Sequence, residues 1–156
     1  MTPRERRQIA MRHAFRYQAY KREVREYREK ALAMRGQRID AVPGSTSAGS
    51  HTDPTQQAAI RLADMPEILK EKAAWVKVID DTWKDCVTED GGDPHGLAYL
   101  MDKNFRLTGE ETGEDQNAVV REEIMKTCDI SQRTFYSRLT TVADMLVYHA
   151  TKRGLL

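Results

Sequence analysis

Apolar residues recur along this chain at intervals of three and four, the spacing of one face of an α-helix. Near the N-terminus Tyr17, Tyr20, Val24, Tyr27, Ala31 and Met34 fall 3, 4, 3, 4 and 3 residues apart. That short seam can pack on the rest of the chain or on a second copy. Thr2-Pro3 supplies a helix start, and the helix is predicted to run to about Met34 with Gly36 ending it. Residues 36–52, rich in Gly and Ser, read as a flexible linker. Asp53-Pro54-Thr55-Gln56 then has the form of a capping box, followed by Ala58, Ala59, Leu62 and Ala63 on one side. Asp64-Met65-Pro66-Glu67 interrupts the helix and restarts it. Ile68, Leu69, Trp75, Val76, Val78, Ile79 and Trp83 form the richest apolar stretch, predicted as a central core helix ending near Val87. A turn over 88–96 leads to a helix from Leu97 to Phe105, with Leu97, Leu100, Met101 and Phe105 inward. Residues 108–117 form an acidic loop.

No convincing strand-like alternation occurs, and helix formers dominate the composition. The expected fold is all-α: a basic N-terminal helix (1–35), a flexible linker (36–52) and a helical domain (53–156).

The most informative stretch is C-terminal. An amphipathic segment, Val119 to Thr127, meets a short polar turn at Cys128-Asp129, plugged by Ile130. Asp129 tolerates the left-handed backbone such a turn requires. Ser131 can accept a hydrogen bond from the first amides of a new helix. On that helix Phe135, Leu139, Val142 and Leu146 share an inward stripe, while Gln132, Arg133, Tyr136 and Ser137 point the other way. This is the layout of a helix-turn-helix over about 118–153, in which the first turns of the second helix enter the DNA major groove. Gln132, Arg133, Tyr136 and Ser137 are the expected base-reading residues, with Arg suited to guanine and Gln to adenine. Lys126, Arg138, Lys152 and Arg153 are the expected phosphate contacts.

Charge sharpens this picture. The net charge of +1 conceals basic ends and an acidic middle. Residues 1–38 hold twelve Arg or Lys and four Glu, a net +8. Residues 89–117 hold two basic and eight acidic residues, a net −6. The basic N-terminal helix is either a polyanion contact or a solvated face.

Chemistry-bearing residues, by contrast, are scattered. Cys86 and Cys128 form no CxxC or Cys/His cluster, so both read as small buried hydrophobes. Asp80, Asp81 and Asp85 read as a solvated face rather than a metal site. His13, His51, His95 and His149 have no partner at a telling spacing. The expectation is a protein that is not an enzyme and needs no cofactor or metal. With no membrane-spanning run and no signal-peptide pattern, it is expected in the bacterial cytoplasm. Double-stranded DNA is the expected partner, with a homodimer as a candidate assembly.

Several segments together resemble the phage late-transcription activators of the RinA/ArpU type. They are the tyrosine-containing basic helix (Tyr17 to Tyr27), the Gly/Ser linker, and the block Asp53-Pro54-Thr55-Gln56-Gln57-Ala58-Ala59-Ile60-Arg61-Leu62. Val76-Lys77-Val78-Ile79-Asp80-Asp81 and the C-terminal Ile130-Ser131-Gln132-Arg133-Thr134-Phe135-Tyr136-Ser137-Arg138-Leu139 complete the set. The acidic stretch 88–118 departs from that pattern. The resemblance implies a sigma-factor-like C-terminal helix-turn-helix in an activator of phage or prophage late genes. Host RNA polymerase then becomes a candidate partner. A phage small terminase subunit and a helical protein-interaction module are the alternatives.

Overall fold

A computed structural model of the chain describes residues 1–37, 65–109 and 117–156. Gly36, expected to end the N-terminal helix and open the linker, is itself helical, as is Gln37. The rest of the expected linker, the Asp53 capping box and most of the acidic loop lie outside the described residues. The described residues are all-α, in six helices.

The chain starts with a local cap. Thr2 Oγ1 accepts from the Glu5 amide (3.2 Å), and the Glu5 carboxylate accepts from the Thr2 amide (2.6 Å). With Pro3 in the first turn, this opens α1, Pro3–Phe15. One continuous helix is predicted here, but the structure has two. Helical geometry breaks at Arg16 (φ −97°, ψ 8°), and α2 follows over Tyr17–Gln37. The break lets the two halves follow different surfaces. α1 packs on the C-terminal helix and α2 on the central one. Ala10 and Ala14 are fully buried, and Tyr17, Tyr20, Val24 and Ala31 nearly so. These four residues of the tyrosine seam are thereby covered within the chain, and Tyr27 is half-buried.

Pro66 precedes α3, Glu67–Asp90. Trp75, Val78, Ile79, Thr82 and Cys86 are its buried residues. His13 stacks on Trp75 with ring centroids 4.0 Å apart and planes 9° from parallel. Two residues of the predicted apolar stretch face solvent instead: Ile68 is 68% and Trp83 43% exposed. The face of α3 read as solvated is exposed at Asp85 and partly so at Asp81, but its carboxylates are also engaged. Asp80 accepts from the Tyr17 hydroxyl, Asp81 pairs with Arg153 and Asp85 meets His149 Nε2, each at 2.6 Å. These three carboxylates join α3 to its neighbours.

After Gly91 (φ 56°) the chain turns into α4, Leu97–Phe105. Asp90, the last residue of α3, caps this next helix. Its carboxylate accepts from the amides of Leu97 (2.6 Å) and Ala98 (2.8 Å). α5 spans Asn117–Cys128 and α6 spans Gln132–Lys152. α6 packs against α1, α3 and α4. Residues from all six helices enter one core, including Ala14, Tyr20, Trp75, Leu100, Ile124 and Phe135. The N-terminal helices therefore share the core of the C-terminal region rather than standing apart from it.

Candidate nucleic-acid interface

α5, a short turn and α6 occupy the stretch read from sequence as a helix-turn-helix, and local chemistry accounts for each joint. α5 ends through Asp129, whose backbone is left-handed (φ 49°). The Ile130 amide donates to the Met125 carbonyl (3.0 Å) and the Asp129 amide to that of Lys126 (3.3 Å). This crossed pair closes a helix whose next residue is left-handed. Ile130 packs at the edge of the core. Ser131 is extended (φ −73°, ψ 161°), and its Oγ accepts from the Thr134 amide at 3.2 Å. α6 therefore begins one residue after its cap.

The two faces of α6 then separate. Phe135, Val142, Ala143, Leu146 and Ala150 are buried, and Leu139 is half-buried against the core. Gln132, Arg133, Tyr136 and Ser137 are all exposed, so the structure gathers the four expected base readers on the outer side of the first two turns. Lys126 is exposed in the last turn of α5. Arg138 is half-buried, close enough for its charge to be felt at Cys128.

The other two expected phosphate contacts stand apart. Lys152 and Arg153 lie at the far end of α6, about 30 Å along its axis from Arg133. Arg153 is also engaged elsewhere: it donates to Asp81 at 2.6 Å. That bond holds the Asp81 carboxyl below its ordinary pKa. Arg153 is thus a tie between α6 and α3. Lys152 remains exposed beside an open groove of about 410 Å³ shared with Lys84 and His149.

One residue at the site is missing from the sequence reading. Arg121 of α5 donates to the Tyr136 hydroxyl at 2.9 Å and to the Asn117 carbonyl at 3.3 Å. Its being a cation on the first helix of the motif was the one available signal. A second cation, Arg7 of α1, holds Asp144 on the outer side of α6 through two bonds of 2.6 and 3.1 Å.

Burial raises the Cys86 thiol to about 12 and also raises that of Cys128. Both thiols stay protonated near neutrality, which suits packing rather than nucleophilic attack. Among the described residues no three His, Cys, Asp or Glu side chains gather where they could hold a metal ion. Among them, too, no helix is long and apolar enough to cross a membrane. No protein-family model, curated protein or solved structure matches the chain.

Proposed function

We propose that this protein is a sequence-specific DNA-binding regulator of transcription that reads the major groove with the first turns of α6. The observation that carries the reading is the capped start of α6. Ser131 fixes where the helix begins, and Phe135 fixes its rotation by being fully buried. Gln132, Arg133 and Ser137 are left outward on a rigid support. Arg133 offers a planar two-donor fork suited to guanine O6 and N7, and Gln132 a donor–acceptor pair suited to adenine. Lys126 and Arg138 flank them and set register on the phosphates.

The resemblance to phage late activators extends the proposal to a phage or prophage regulator of late genes, acting in the bacterial cytoplasm with host RNA polymerase as partner. Selection of bound sequences from random duplex DNA tests the reading. The expected result is an enriched motif with at least one G·C position that depends on Arg133. Recovery of unenriched sequences would overturn specific binding.

A further inference from the structure

Arg121 and Tyr136 stand on the two helices of the motif and meet across the turn. The guanidinium donates to the phenol oxygen at 2.9 Å. Tyr136 is 41% exposed, and Arg121 is half-exposed beside it. The Arg121 Nε–H is fixed by the Asn117 carbonyl, so the guanidinium is anchored at both ends of its reach.

The chemistry of the pair is one-sided. A phenol that has accepted from a guanidinium keeps its own O–H to donate. The charged donor polarises that O–H and strengthens it. Arginine has five N–H donors and no acceptor, and two of its bonds are accounted for here. The pair therefore offers hydrogen-bond donors and one positive charge. Its complement is an acceptor. Adenine's edge is mixed and cytosine's presents a donor, guanine's O6 and N7 accept but are neutral, and a phosphate oxygen accepts and carries the negative charge that matches the guanidinium. Glu122 and Glu123 follow in sequence but leave α5 about 100° and 200° further round its axis.

We propose that Arg121 and Tyr136 together bind one backbone phosphodiester of DNA, clamping it between the two helices of the motif. This moves Tyr136 from the base-reading set to the register-setting set and adds Arg121 to it. It rests on the reading of α6 as a recognition helix.

The test is a salt titration of the full chain on two labelled duplexes, one carrying a selected site and one of random sequence. Arg121→Gln should weaken both duplexes by a common factor and flatten the slope of log affinity against log salt by about 0.9, as for one lost phosphate contact. Tyr136→Phe keeps the ring and loses the hydroxyl. It should weaken both duplexes equally and leave the slope nearly unchanged, because no charge is removed. The double variant should be little weaker than Arg121→Gln alone. An unchanged slope for Arg121→Gln would overturn the proposal. So would a loss confined to one base pair in Tyr136→Phe, which would place the phenol on a base edge while leaving α6 as the reading helix. If the parent chain binds neither duplex, the DNA reading itself falls with it. Should Arg121→Gln lower the melting temperature, the Tyr136→Phe comparison decides alone.

Discussion

Phe135 and Arg133 sit two residues apart on α6 and do opposite work. The Phe135 ring is fully buried and meets the Tyr136 ring edge-on at 5.3 Å. Phe135→Ala should cost about 3–5 kcal/mol, the range for a buried aromatic, and a thermal melt should show it before any change of specificity. Arg133 carries no such load. Arg133→Ala should keep the parent melting temperature, relax preference at one or two positions, and cost about 1–3 kcal/mol on the best site. Arg138→Ala should weaken all sequences about equally. Competition binding against single-base variants of a selected site separates the two arginines. His13 supplies a pH dependence at the same scale. Burial lowers its pKa from 6.5, outweighing Glu71, whose charge raises it, while Arg16 and Arg12 add to the lowering. The folded state therefore binds the proton less readily than the unfolded one. The neutral ring's contribution is complete above about 6.5 and is lost as pH falls from there toward the lowered folded value. Urea denaturation of the parent and of His13→Gln should give stability curves that converge as pH drops through that window.

At the scale of elements, the joint between α3 and α4 is the most exacting. Asp90 ends one helix and caps the next by accepting two amide hydrogens. Gly96 stands where this cap closes: a Cβ there would lie 2.2 Å from Asp90 Oδ1. The carboxylate cannot move aside without giving up the amides. Asp90→Ala should cost about 1–2 kcal/mol, as for other lost caps. Gly96→Ala should destabilise the parent, and destabilise Asp90→Ala much less, because the clashing group is then gone. Denaturant midpoints of the two single variants and the double variant measure that coupling. α6 depends on this joint, since α4 packs against both α5 and α6.

For the whole molecule, the basic N-terminal region is part of the fold and cannot be removed as an appendage. Ala10, Ala14, Tyr17 and Tyr20 belong to the common core, so deleting residues 1–38 would unfold the protein rather than report on its charge. Neutralisation is the informative change. Arg4, Arg12 and Arg16 are exposed, and replacing all three with Gln should leave the melt intact. If the α1 surface meets DNA, the salt slope should fall by about 0.9 for each lost contact. An unchanged slope would leave α1 as a structural brace on α6, to which Arg7 and Asp144 already tie it.

Interactions that act within a few residues were legible in the chain. Ser131 as the cap of α6, Asp129 in a left-handed turn, the inward set of α4 and the Thr2 start of α1 are all chosen by neighbours in sequence. Periodicity and capping chemistry suffice for them, and so did the outward placement of Gln132, Arg133, Tyr136 and Ser137. What only the tertiary structure decided involves partners remote in sequence. Tyr17 finds Asp80 across 63 residues, His149 finds Asp85 across 64 and Arg153 finds Asp81 across 72. No local rule distinguishes those carboxylates from a solvated face, because their pairing is set by which helices pack together. The break at Arg16 belongs to the same class. The periodicity of residues 3–34 suits one helix as well as two, and only the demand to cover two differently directed surfaces divides it. Arg121 escaped the sequence for that reason too: its partner Tyr136 lies beyond a turn whose geometry, not its composition, brings the two helices within hydrogen-bond reach.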